Sequence, residues 1–297
     1  MRQIILLIIL SNGLSLVECA QQPTGVSEAR GAPRQAVPKL TLPLKPKSVR
    51  FAVIGDSGSG SPPQYEVAHE MQQVRAEFPF NFVIMCGDNI NGGHGPQAFQ
   101  EKFEKPYKGL LDAGVKFYAS LGNHDNPNER FYKLFNMDGK RYYSFRKGTA
   151  TFFALDSNYM DPVQLDWLKK QLQNSNSAWK ICFFHHPLYS DGRTHGPDMD
   201  LRAILEPVFV RYGVNVVFSG HDHVYERIKP QKGIYYFVEG NSGELRYHNL
   251  RRSPEMAAGF DTDRAFMLVE IAGDQLYFQT VSRAGQTVDS AMLQRQK

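Results

Sequence analysis

The chain has little cysteine and little tryptophan, three and two among 297 residues. Three cysteines cannot build a disulfide framework, so the fold must stand on its core and on whatever it binds. Cys86 and Cys182 lie inside apolar runs, where a free thiol packs as a small hydrophobe. A membrane-length apolar run is also missing. Ile4–Leu10 is unbroken but far short of the ~20 residues that span a bilayer. With Arg2 before it and small residues near Cys19 and Ala20 after it, it predicts an export signal over residues 1–20. Leu16-Val17-Glu18-Cys19 leaves a lipoprotein anchored through Cys19 as an alternative, with Glu18 against it.

An excess of one charge is missing from the part that folds. The net charge is +4, yet residues 1–50 hold seven Lys/Arg against two acids. The other 247 residues carry 27 bases and 28 acids, close to neutral. That gives no support for a nucleic-acid partner. Residues 21–48 are rich in Pro, Gly, Ala, Gln and Lys and read as a solvated linker. One domain is expected over 49–297, with no second linker and no internal repeat.

What the chain does have is a recurring device. Five apolar runs each end in residues that can bind metal: Gly55-Asp56, Gly87-Asp88, Gly122-Asn123-His124-Asp125, His185-His186-Pro187 and Gly220-His221-Asp222-His223. A side chain just past a buried strand has its backbone fixed by the sheet while its functional end reaches a cleft. Five such ends side by side supply about six ligands, enough for two cations. Gly-Asp alone is a common turn pair. Its weight comes from the ordered company of the other motifs.

Strands and helices alternate through the first half. A helix is expected over Gln64–Phe78, opened by Ser61-Pro62, and another over Phe99–Leu111, broken near Pro106. Asp161-Pro162-Val163-Gln164 has the pattern of a capping box, opening a helix with Leu165, Leu168 and Leu172 on one face. Leu201–Tyr212 ends at Gly213. Tyr142–Arg146 and Thr151–Leu155 read as a hairpin, and Ala265–Val281 as two strands around Gly273-Asp274. The fold class is α/β, with two mixed sheets packed face to face and helices outside.

His221 and His223 are two apart, so both reach one site only if the chain turns tightly there. His185 and His186 are adjacent, and on extended chain their rings point apart, leaving one as a ligand. Asn123 offers a neutral oxygen. His124 can act as general acid or as a cation on a phosphate oxygen, with Asp125 behind it to orient and charge the ring. His94 and Arg246 read as surface residues, the latter with a phosphate contact as the alternative. His69, Tyr189 and Tyr225 read as packing residues.

In order, Asp56, Gly87-Asp88, Gly122-Asn123-His124-Asp125, His185-x-Pro187 and Gly220-His221-x-His223 resemble the motif set of the calcineurin-like metallophosphoesterases. His185–Ser190 and the Val224–Arg227 continuation look like the small purple acid phosphatase branch. The resemblance covers about residues 50–250. It implies a four-layer α/β/β/α sandwich with a two-metal site (Fe, Zn or Mn) at the strand ends. It implies Asp56, Asp88 and His223 at one ion, Asp88 bridging to a second, and Asn123, His185 and His221 completing that one. It selects His185 over His186. It gives His124 the proton to the leaving group or the transition-state charge, and His195 a place in the pocket. The implied activity is hydrolysis of a phosphorylated small molecule by attack of a metal-activated water, by an exported enzyme without a transmembrane anchor. Monoesterase is the first expectation. A phosphodiesterase or nucleotidase, and a silent metal-bound surface module, are the alternatives. One position departs: purple acid phosphatases carry a Tyr iron ligand three residues after the second Asp, and here Asn91 stands there.

Overall fold

Two β-sheets stand face to face with helices on their outer sides. The computed structural model describes residues 39–93 and 95–296. The expected signal, most of the linker, Cys19 and His94 lie outside the described residues. In the first sheet β1 (Val49–Ile54), β2 (Phe82–Cys86) and β3 (Lys116–Ser120) run parallel. β11 (Ala265–Ala272), β12 (Gln275–Ser282) and β13 (Thr287–Gln294) continue it antiparallel on the far side of β1. In the second sheet β4 (Tyr143–Lys147) and β5 (Ala150–Ala154) form the expected hairpin. β5 then runs parallel to β6 (Trp179–Phe183), and β6 to β7 (Val216–Ser219). β8 (Tyr225–Gln231), β9 (Ile234–Glu239) and β10 (Met256–Phe260) complete the sheet.

The central strands of the second sheet are buried on both faces, and their alternation sorts the two cores. Trp179, Ile181 and Phe183 join the core between the sheets, while Cys182 and Phe184 face the outer helices. Aromatic edges lock the sheets together. Phe51 of the first sheet meets Phe152 and Phe218 of the second at 5.1 and 6.2 Å, edge to face. Such pairs contribute about 0.5–1.5 kcal/mol each beyond burial. Val67, Met71 and Val74 of α1 (Pro62–Val74) cover the first sheet. After the short helices α2 (Pro96–Phe99) and α3 (Lys108–Asp112), α4 (Pro162–Asn174) and α5 (Met199–Tyr212) cover the second through Leu168, Leu172, Leu205 and Phe209. The result is the four-layer α/β/β/α sandwich. Cys86 and Cys182 are free and buried.

Three local expectations need correction. The segment 39–48 does not belong to a free linker. Glu270 on β11 accepts from the Leu44 and Lys45 amides, at 2.8 and 2.5 Å, and Gln279 on β12 accepts from Thr41. Leu42 is buried. Asp161 caps α4 by accepting from the Gln164 amide at 2.8 Å, but Gln164 does not return the bond. Its side chain instead takes the Asp156 amide and donates to the Asp156 and Tyr159 carbonyls, holding the loop after β5. His69 is exposed on α1 rather than packed. The helix over Phe99–Leu111 is broken near Pro106 as expected, with a π turn at Gln100–Glu104 before the break and α3 after it.

The two ends of that bond predict different costs. Asp161→Ala loses one exposed cap, about 1 kcal/mol. Gln164→Ala strands buried backbone groups as well, about 1–3 kcal/mol for each group left unsatisfied. Urea unfolding checks the order, and equal losses would contradict the assignment.

Candidate metal centre

The parallel strands β1, β2, β3, β6 and β7 end on one edge of the sandwich, which brings all five motifs together. Asp56, Asp88 and His221 take left-handed backbone there, with φ of 49°, 50° and 70°. That conformation is uncommon for residues with a Cβ. Here it turns each side chain off its strand line into the cleft. The flanking glycines are fixed by the same crowding. A Cβ on Gly122 would collide with the Asp88 carboxylate, and one on Gly220 with the Asp56 carboxylate.

At the first cluster, donor atoms of Asp56, Asp88 and His223 lie within 4.8 Å of one another. Asp56 Oδ2 accepts from the His221 amide at 2.7 Å. Asp56 Oδ1 is buried, has no hydrogen bond among the described residues, and stands 3.3 Å from His223 Nε2. At the second cluster the tautomer of His185 follows from its partner. Nδ1–H donates to the Cys86 carbonyl at 3.0 Å, which leaves a lone pair on Nε2. That lone pair faces Asn123 Oδ1 at 2.9 Å, His221 Nδ1 at 3.1 Å and Asp88 Oδ1 at 3.5 Å. A lone pair facing the oxygens of Asn123 and Asp88, beside a buried carboxylate oxygen with no hydrogen bond among the described residues, suits a cation pair. The residues present fit two metal ions that share Asp88.

The electrostatics agree. Burial, then the Asp88 charge, pushes Asp56 well above the usual carboxylate range. Burial also raises Asp88, although the His124 amide opposes it. Burial and the neighbouring imidazoles hold His185 well below its ordinary value and push His221 down to about 2. Burial lowers His223, helped by Arg246. Each shift favours the neutral imidazole, the form that binds a metal.

Two expectations about neighbours fail. The chain bends at His185-His186, so the two rings do not point apart. Their centroids are 4.9 Å apart, and His186 stands 4.5 Å from His221. His186 brings a ring nitrogen within 4.8 Å of those of His185 and His221, and its Nδ1 meets Ser157 Oγ at 2.9 Å. Asp125 does not back the His124 ring. Its carboxylate accepts from the amides of Gly122, Asn89 and Ile90 and from Asn89 Nδ2, at 2.7–3.0 Å. It braces the loop after Asp88 against the loop of Asn123. His124 is exposed at the rim, and its amide donates to Asp88 Oδ1 at 3.0 Å.

His221 and His223 face the cleft through a tight turn, in which the Asp222 amide bonds Gly220 and the Val224 amide bonds Asp222. Buried Asp222 accepts from Ser190 Oγ (2.5 Å) and the Gly196 amide (3.1 Å), securing the loop that carries His195. The His195 ring lies 4.2 Å from that of His221. Arg246 also belongs to this edge: its Nη2 is 3.5 Å from His195 Nε2. Asn91 Nδ2 donates to Glu244 Oε1 at 3.3 Å. A cavity of about 420 Å³ opens beside the second cluster, lined by Asn123, Asn158, Tyr159, His186 and Asp198 among others. A larger depression of about 700 Å³ around Arg130, Arg141 and Trp167 contains none of the ligand residues.

Comparison with known proteins agrees with this geometry. The calcineurin-like phosphoesterase family model matches residues 49–225. The tartrate-resistant acid phosphatase type 5 of Rattus norvegicus is 25% identical over 84% of this chain and 91% of its own. Purple acid phosphatase 4 of Arabidopsis thaliana is 28% identical over 77% and 78%. Among solved structures, a purple acid phosphatase from yellow lupin seeds superposes with a TM-score of 0.68 at 19% identity, over 84% of this chain and 54% of that one. GAP50, the anchor in the inner membrane complex of Plasmodium, superposes at 0.72 with 21% identity, over 84% and 90%. At these identities the two structures speak for the fold alone.

Metal content tests the ligand sets. Asp88→Ala is expected to lose most of both ions, His185→Ala the second, and His186→Ala neither, by elemental analysis. Loss with His186→Ala and retention with His185→Ala would reverse the assignment. Stability against pH tests the buried acids. A carboxyl whose folded pKa is raised favours folding while protonated, and that contribution is lost as pH rises through the folded value. The lowered His185, His221 and His223 act with opposite sign over the same range, so the readout is chelator-stripped wild type against Asp56→Asn, which keeps them. Wild type should lose thermal stability relative to Asp56→Asn as pH climbs from about 4 toward neutrality. Parallel profiles would contradict this.

Proposed function

Because the chain belongs to the calcineurin-like phosphoesterase family, and is a metal-dependent phosphoric ester hydrolase, we propose that it is an exported phosphatase of small-molecule monoesters. One observation carries the reading: Asp88 groups with Asp56 and His223, while its Oδ1 stands 3.5 Å from His185 Nε2, the atom that also faces Asn123 and His221. In this reading Asp56, Asp88 and His223 hold one ion, and Asp88, Asn123, His185 and His221 hold the other. Two ions held by these residues would supply Lewis acidity toward the phosphoryl oxygens and a water of lowered pKa for in-line attack.

The chain's own residues set the geometry. Asp88 fixes the spacing of the two ligand sets, and its Oδ1 anchors the amide of His124. The exposed imidazole of His124 gives a proton to the leaving oxygen or steadies the charge of the transition state. Asp125 is a positioning residue for both loops. His195, against His221, lines the phosphate side, and the cavity beside Asn123 has room for the leaving group. Export through residues 1–20 is part of the proposal. Among the described residues no helix is long and apolar enough to cross a membrane.

Asn91 bears on the metals. A neutral amide, here donating to Glu244, stabilises a trivalent ion far less than a phenolate does. The proposed pair is divalent: Zn, Mn or ferrous iron.

A panel of monoesters and diesters, assayed with metal analysis of the same sample, tests the activity. The expected result is two ions per chain and higher kcat/KM on monoesters. A protein that binds both ions and cleaves no ester would sink it. On His124→Ala, turnover should fall ~10²–10⁴-fold with both ions retained. The absorption spectrum tests the metal assignment: iron-loaded wild type should be colourless and Asn91→Tyr coloured. A purple wild type would refute the divalent pair.

A further inference from the structure

We propose that Arg246 grips an unesterified oxygen of the reacting phosphoryl group and thereby selects monoesters over diesters; this rests on the phosphatase reading above. The segment after β9 is fastened along the first metal cluster. The Ser242 amide donates to the Gly55 carbonyl (3.2 Å), the Glu244 amide to the Asp56 carbonyl (3.1 Å) and the Arg246 amide to the His223 carbonyl (3.0 Å). Every second residue is thus tied to the backbone at or beside a proposed ligand, and Arg246 is anchored on His223 itself.

Its side chain stays at the site. Nη2 comes within 3.5 Å of His195 Nε2, the ring that lies against His221. Nε is shut off from solvent and lacks a hydrogen-bond partner among the described residues. No carboxylate of the described residues forms an ion pair with this guanidinium, although eleven other Lys/Arg–acid pairs are formed. An uncompensated cation beside a two-cation centre is unfavourable until an anion arrives. A guanidinium fork fits phosphoryl oxygens, with strong charge-assisted bonds. A monoester has three unesterified oxygens and a diester two. With two of them turned to the ion pair, only the monoester keeps one for Arg246.

The test uses metal-loaded wild type, Arg246→Ala and Arg246→Lys. Ion content is checked first and should stay at the wild-type level, since Arg246 is outside the ligand sets. Calorimetry then reads the affinity for inorganic phosphate, and kinetics reads p-nitrophenyl phosphate against bis(p-nitrophenyl) phosphate. Arg246→Ala should weaken phosphate binding and monoester kcat/KM roughly 10- to 100-fold, with diester turnover little changed. Arg246→Lys, which keeps the charge and most of the stem, should fall between them and decides the matter if the alanine variant folds poorly. Equal losses on both esters, or unchanged phosphate affinity, would overturn the proposal. Wild type that cleaves neither ester defeats the phosphatase reading, while phosphate affinity still decides Arg246.

Discussion

Two carboxylates, Asp56 and Asp88, are buried at one sheet edge with like charge near like charge, and the rest of the site depends on this. Ionised together without a cation they are unfavourable, and burial raises both toward the protonated form. The amides of His221 and His124 each offset part of the cost by donating to one oxygen. What remains, the bare Asp56 Oδ1 and the lone pair of His185 Nε2, asks for positive charge. The folding problem and the catalytic problem therefore share one solution: ions that relieve the buried acids also activate the ester.

The same constraint explains the local backbone. Asp56, Asp88 and His221 adopt left-handed φ, and Gly122 and Gly220 pack directly on the carboxylates of the first two. Each glycine precedes a ligand of its own and makes room for a ligand from another strand. The motifs therefore interlock, and none of the five is complete without its neighbours. The two sheets meet at this edge through polar contacts, with His185 of the second bonded to Cys86 of the first. Elsewhere they meet through aromatic edges such as Phe51 on Phe152.

Much of this was legible in the sequence because buried parallel strands leave two marks, an apolar run and an abrupt polar end. Those marks gave β1, β2, β3, β6 and β7 and the residues just past them. The capping Asp161 and the terminal Gly213 were readable from local chemistry, and Gly213 has φ 69°. Tertiary relations were not. Asp125 sits beside His124 in sequence, yet it bonds the Asn89 loop because the turn directs it inward. His185 and His186 share a cleft because the strand stops at Phe183 and the chain bends. Arg246 follows a glycine-rich turn like many surface arginines. Only the alternating amides of residues 242, 244 and 246 bring it to the site. Residues 39–48 have linker composition, and their anchor is Glu270, more than two hundred positions away.

Anomalous diffraction from crystals of metal-loaded protein, collected across the absorption edges of the bound elements, measures the central claim most directly. The account predicts two peaks about 3.5–4 Å apart with the Asp88 carboxylate between them, one beside Asp56 and His223 and the other beside Asn123, His185 and His221. A single peak, or two peaks that do not share Asp88, would contradict it.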